Sequence, residues 1–406
     1  MTPTADPDAL GFDAGRLARI DDYLSGFVER GEMPGWELVV TRHGEVAHTS
    51  VGGVSDIESQ RPLEPDQLYR IYSMTKPITS VAAMILYERG AFQLSDPISR
   101  WLPEFAHTRV YAGGSDLRPA TVPARSPITV AHLLTHTSGL TYDFFRANAV
   151  DAIYRTAGVG ARLDREVDDL AGYAARLAEL PLLFQPGSEW GYSRATDVLG
   201  ALVEVVGGMP FDEFVATEIT GPLKMDDTRF GLTDETRGRV VRLHAQTAEG
   251  LVTADKAGLV VDEPALAMGG QGLISSAADY HRFTQMLRRR GELDGIRVLG
   301  SRTVDFMTMN HLPGGADLES FGRPLYSETP MRGSGFGLGF SVDLTPPATG
   351  RPGSAGTYAW GGAASTAFYV DPVEDLTVLF FTQVMPLSPL ALRTGLRQMV
   401  FQALVD

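Results

Sequence analysis

Apolar residues recur at helical spacing through residues 10–31, where Leu10, Leu17, Ile20, Leu24, Phe27 and Val28 stand among polar neighbours. The pattern then changes period. Residues 36–42 and 45–52 read as two strands joined at His43-Gly44, a hairpin. Tyr69-Arg70-Ile71-Tyr72 leads into an apolar segment, 73–89, long enough for a buried helix, with Pro77 in its first turn where a proline costs little. From 91 to 275 the chain is loop-rich, with helical stretches at 130–134, 167–179, 196–206 and 211–217. Two more helices are predicted at 277–290 and 301–309, and the Gly- and Pro-rich residues 310–335 form a long loop. Strand character returns at 337–343, 364–370 and 376–382, and 395–404 closes the chain as a helix. Strands therefore cluster at both ends and helices in the middle. This predicts an α/β domain built from residues 1–90 and 276–406, with a mainly helical domain, 91–275, inserted between them and an active-site cleft where the two meet.

Composition narrows the function. The 406 residues are 44% hydrophobic and 21% charged, ordinary for a globular chain. The net charge of −15 gives no electrostatic footprint for nucleic acid or an anionic membrane. The chain has no cysteine, which removes disulfides, thiolate metal sites and cysteine nucleophiles together. The first residues carry Asp6 and Asp8, with neither the basic start nor the apolar run of a secretory leader, so a cytoplasmic location is expected. No cofactor or metal is implied: H-E-x-x-H is absent, and the glycine pairs lack Walker or Rossmann context.

One count matters more than these. There are three lysines, Lys76, Lys224 and Lys256, against 32 arginines. A chain that uses arginine for its generic cations and keeps lysine at one position points to a cation that must be able to lose its proton. Lys76 closes Ser73-Met74-Thr75-Lys76, an S-x-x-K element. Residues three apart share a helix face, so the hydroxyl and the amine can meet, and a lysine desolvated in a cleft can take the serine proton. The plain alternative is a cap serine beside a stray lysine. A second element, Gln185-Pro186-Gly187-Ser188-Glu189-Trp190-Gly191-Tyr192-Ser193-Arg194, offers Tyr192 either as a packing residue or as a proton shuttle. A third, Trp360-Gly361-Gly362-Ala363, precedes a predicted strand, and its paired glycines permit close backbone approach or mark a plain turn.

In this order the three elements resemble the serine hydrolase superfamily of class C β-lactamases, DD-peptidases and family VIII carboxylesterases. The resemblance spans residues 12–400 and includes Leu133-Leu134-Thr135-His136-Thr137-Ser138-Gly139-Leu140, Gly269-Gly270-Gln271-Gly272-Leu273 and Gly335-Phe336-Gly337-Leu338-Gly339. It implies a β-lactamase-like α/β (α+β) sandwich, a central antiparallel sheet flanked by helices. It also implies Ser73 as the acylated nucleophile, Lys76 as its partner base and Tyr192 as the tyrosine of the Y-x-N element. The oxyanion hole falls to the backbone N–H groups of Ser73 and Ala363, and His136 takes a structural role.

Two departures steer the substrate. Arg194 stands where β-lactamases have asparagine, and Trp360 where they have the strand lysine that helps hold a substrate carboxylate. Trp360 is expected to form a flat apolar wall suited to uncharged groups and, with nearby aromatics, to favour small acyl chains. Tyr142, Phe144 and Phe145 either line the cleft or pack. The expected activity is hydrolysis of small uncharged carboxylic esters. β-Lactamase or DD-peptidase action, acyl transfer and a non-catalytic ligand-binding relative remain as alternatives, and the oligomeric state is open.

Overall fold

The computed structural model describes residues 1–160, 169–254, 266–385 and 389–406. Its frame is an eight-stranded sheet: β1 (Gly35–Arg42), β2 (Glu45–Asp56), β3 (Arg61–Pro62), β4 (Ser334–Phe336), β5 (Ser341–Asp343), β6 (Tyr358–Gly361), β7 (Ala367–Asp371) and β8 (Leu376–Phe381). The spatial order is β4-β5-β6-β7-β8-β1-β2-β3, antiparallel throughout, so the two ends of the chain meet at β8 and β1. There Glu37 pairs with Phe381 and Arg42 with Leu376.

Successive side chains of a strand point to opposite faces, and here both faces are apolar. Leu38 and Val40 of β1 and Val378 and Phe380 of β8 pack with α1 (Ala14–Glu29), through Leu17, Ile20 and Leu24, and with the C-terminal helix α5 (Pro389–Phe401), through Leu392, Leu396 and Val400. The alternate residues Val39, Leu379 and Phe381 enter a second and larger core. That core holds α2 (Thr75–Glu88), α3 (Ala195–Gly207) and α4 (Ala277–Arg288). A mostly apolar strand such as Leu376–Phe381, broken only by Thr377, is thus covered on both faces. Among the described residues no helix is long and apolar enough to cross a membrane. Mixed α/β architecture with a large antiparallel sheet is what the sequence predicts.

Several elements differ in detail. The strand expected at 337–343 is reduced to β5, which pairs in a tight hairpin with β4 at the end of the expected loop, turned by the Gly337 N–H donating to the Phe340 carbonyl at 2.8 Å. Gly339, at φ 98°, passes so close to α2 that a Cβ there would overlap the Ser80 hydroxyl. Trp360 and Gly361 lie inside β6 rather than in a turn before a strand, and the turn follows at 362–366. The middle of the chain contains strands as well as helices, including the hairpin Arg109–Gly114 with Pro119–Pro123. A short sheet of Tyr69–Arg70, Leu273–Ser275 and Arg229–Phe230 ties its end to the approach to α2. Lys256 and the first two residues of the helix expected at 167–179 lie outside the described residues.

Gly339→Ala should force both a left-handed alanine and an overlap with α2, lowering stability by about 2–3 kcal/mol. Denaturant unfolding of wild type and variant measures this, and an unchanged midpoint would contradict the close approach.

Candidate active site

One turn of 3-10 helix, Tyr72–Met74, precedes α2 and carries Ser73. Tyr72 is in the left-handed region at φ 44°, a conformation that costs a bulky residue on the order of 1–3 kcal/mol and so must be held in place by its surroundings. The clamps are visible. The Ile71 N–H donates to the Leu273 carbonyl at 3.1 Å, and the Tyr280 hydroxyl donates to the Met74 carbonyl at 2.9 Å.

Lys76 is the second residue of α2 and is 2% exposed. Its Nζ lies 3.1 Å from Ser73 Oγ and 2.7 Å from the Gly270 carbonyl. That carbonyl is fixed from two sides: the Gly270 N–H donates to Asp197 at 2.7 Å, and the Thr79 hydroxyl donates to the neighbouring Gly269 carbonyl at 2.6 Å. Burial brings the Lys76 amine down to about 7. Asp197 and Glu328 oppose the shift, and Arg194 adds to it. Asp197 is already engaged by Arg194 Nη1 at 3.4 Å, and Arg194 Nη2 is 2.9 Å from Asp143. Arg194, at the position where β-lactamases carry asparagine, is therefore turned away from the cleft into a buried charge cluster beneath the Tyr142 ring.

Tyr192 comes from the segment just before α3, and its hydroxyl is 2.6 Å from Ser73 Oγ. Its ring sits among His136, Tyr142 and Trp360, with centroids at 5.1, 5.2 and 5.4 Å. Burial pushes the phenol well above its ordinary range, so it is a proton donor at neutral pH. The His136 ring nitrogens face Ser193 and Thr196, and burial beside Lys76 pushes its imidazole well below the usual range. It braces the tyrosine segment as a neutral ring.

Ser73 and Tyr192 open into a cleft of roughly 580 Å³ that Ala363, Tyr142, Phe144 and Phe145 also line. Trp360, Gly361 and Gly362 are not among its lining residues. Trp360 is 2% exposed and packed between Tyr192 and Phe336, so the expected flat wall is instead a support behind Tyr192. The argument from Trp360 to small acyl chains falls with it, and the aromatic wall comes from Tyr142 and its neighbours. The glycine pair serves packing: a Cβ on Gly362 would overlap the Ile71 carbonyl, and one on Gly361 the Arg393 guanidinium. Close approach at Gly362 sets this turn against Ile71, two residues before Ser73, and Ala363 lines the same cleft as Ser73. Residues that sequence reasoning passed over also line the cleft, namely Gln271, Tyr326 and Glu328. Gln271 sits inside a quoted glycine stretch. The other two lie in the 310–335 segment, which carries no periodicity to read.

A family model described as Beta-lactamase matches residues 20–398. Among curated relatives, Protein Rv1367c of Mycobacterium tuberculosis is 35% identical over 88% of both chains. Esterase EstB of Burkholderia gladioli is 32% identical over 93% of both. The solved structure described as EstCE1, a hydrolase with promiscuous acyltransferase activity, superposes with a TM-score of 0.79 at 27% identity, covering 95% of this chain and 99% of that one.

A fluorophosphonate probe should label Ser73, at a rate that rises with pH through an ionisation near 7 as Lys76 loses its proton. Below that pH the protonated amine has no lone pair to accept the serine proton, and labelling slows. Peptide mapping and labelling rates between pH 5 and 9 check this; a pH-independent rate, or label on another serine, would refute it.

Proposed function

The chain belongs to the Beta-lactamase family and is a serine hydrolase of that fold, and from that premise we propose that it is a carboxylesterase acting on uncharged esters through an acyl-enzyme on Ser73. The observation that carries the reading is a single hydroxyl within hydrogen-bond distance of both a buried amine and a buried phenol, at 3.1 and 2.6 Å.

Neutral Lys76 accepts the Ser73 proton while one of its own N–H groups donates to Gly270. Ser73 Oγ attacks the ester carbonyl, and the oxyanion rests on the backbone N–H groups of Ser73 and Ala363. The bond to the leaving oxygen breaks as the Tyr192 phenol delivers a proton to it, and Lys76 returns a proton to Tyr192. Water then attacks the acyl-enzyme with the same pair as base, releasing the acid and restoring Ser73. Lysine before tyrosine follows from burial, which lowers the amine and raises the phenol. An uncharged substrate is favoured because no lysine or arginine is among the described residues lining the cleft, and aromatic rings are. The likeness to Esterase EstB supports ester hydrolysis.

p-Nitrophenyl butyrate should be hydrolysed by wild type and lost by at least about a thousandfold in Ser73→Ala, with nitrocefin turned over far more slowly than the ester. Ester activity surviving in Ser73→Ala would sink the mechanism, and nitrocefin turned over as fast as the ester would favour β-lactamase action. A second reading is acyl transfer, favoured by the description of EstCE1 as a hydrolase with promiscuous acyltransferase activity. If it holds, added alcohol will divert product from free butyrate to the new ester in proportion to its concentration. A product ratio indifferent to alcohol would leave water as the acceptor.

A further inference from the structure

Glu328 is the only charged side chain among the described residues that line the cleft with Ser73 and Tyr192. It is 4% exposed. A carboxylate so buried must be paired, and its partner approaches from behind. Arg393, on α5, is 2.9 Å from the Glu328 carboxylate and donates to the Glu328 carbonyl at 2.8 Å. The other guanidinium nitrogen, Nη2, donates to the carbonyls of Gly362 at 3.2 Å and Thr366 at 2.8 Å. The guanidinium is thus committed to the turn after β6 and does not itself line the cleft. Of the ion pair, Glu328 and not Arg393 lines the cleft, beside Tyr326, whose side chain hydrogen-bonds with it. Its reach is evident at the reacting groups, because the Glu328 charge favours the protonated forms of both Lys76 and Tyr192.

We propose that Glu328 sets the charge selectivity of the site, turning away esters that carry a carboxylate near the scissile bond while admitting neutral and cationic ones. The proposal rests on Ser73-centred ester hydrolysis. A substrate carboxylate a few ångströms from Glu328 lies nearer to it than to Arg393, which sits 2.9 Å beyond and offsets part of the repulsion, and the remainder in a partly desolvated cleft is enough for a discrimination on the order of tenfold. Long-range repulsion from the net charge of −15 also disfavours anions. Salt screens that contribution, since the Debye length falls to roughly 3 Å at 1 M, whereas the short-range effect of a buried carboxylate survives. High salt therefore separates the two.

The test uses the full chain and three p-nitrophenyl esters of matched length: pentanoate (neutral), hemiglutarate (anionic) and 4-(trimethylammonio)butyrate (cationic). Each is assayed in 0.5 M salt after subtraction of the enzyme-free rate. Wild type should show kcat/KM for the anionic ester about tenfold below that for the neutral one, with the cationic ester at least equal to the neutral. Glu328→Gln should shrink the neutral-to-anionic ratio to within a few-fold of unity, and Glu328→Asp, which keeps the charge, should preserve it. Because Glu328→Gln strands a buried guanidinium, the double variant Glu328→Gln/Arg393→Gln, which removes both charges, serves as a second route to the same ratio. No discrimination by wild type, or a ratio unchanged in a folded variant lacking Glu328, would overturn the proposal. Failure of the underlying esterase reading looks different: the neutral ester is then not hydrolysed, or is hydrolysed equally well by Ser73→Ala.

Discussion

The site is organised around a primary amine held out of water beside a hydroxyl. A lysine in that position is tolerable only if its N–H groups find acceptors and its proton is easily lost, and the surrounding chain supplies both conditions. The Gly270 carbonyl faces the amine, and it is steady because Asp197 and Thr79 hold the Gly269-Gly270 segment. Asp197 would be the natural ion-pair partner, but it is occupied by the Gly270 amide and by Arg194. Were it free to approach the amine, the lysine would stay charged at neutral pH and the serine would have no base.

A second requirement is rigidity around the phenol. Tyr192 is hemmed in by His136, Tyr142 and Trp360, and Phe336 packs against both His136 and Trp360. The ring is fixed by other rings, through edge contacts whose geometry is specific. The residue that stands in for the strand lysine of β-lactamases thus works at one remove from the substrate. Its contribution lies in where it keeps the tyrosine hydroxyl.

How much of this was legible in the sequence follows from which contacts are local. The Ser73–Lys76 pair is three residues apart across the start of α2, so spacing and the scarcity of lysine suggest it, and the motifs at Tyr192 and Trp360 are needed to select it. The strands β1 and β8 are readable from their β-rich composition, but their burial on both faces is not, since Glu37 and Arg42 stand in β1. Trp360 was misplaced onto the cleft wall because sequence gives no direction to a side chain whose strand partners are unknown; its burial depends on Phe336 and Tyr192, both distant in the chain. The strand expected at 337–343 covers the turn and β5 but not β4, because the turn is made by a backbone bond from Gly337 and the left-handed Gly339, not by a recognisable turn dipeptide. Glu328 was invisible for a different reason. It sits in an aperiodic segment, and its position is set by Arg393, 65 residues away.

The pairing of β1 with β8 has a consequence for how the molecule is made. These central strands are separated by more than three hundred residues, and each is buried along its length once the other is its neighbour. During synthesis at roughly 5–20 residues per second, the first hairpin must wait tens of seconds for its partner strand to be made. Until then the unpaired edge of a strand centred on Leu38, Val39 and Val40 stands open. The sheet can close only near the end of translation, which makes the nascent chain dependent on whatever shields that edge and places the slow, high-contact-order step of folding at its centre rather than its periphery.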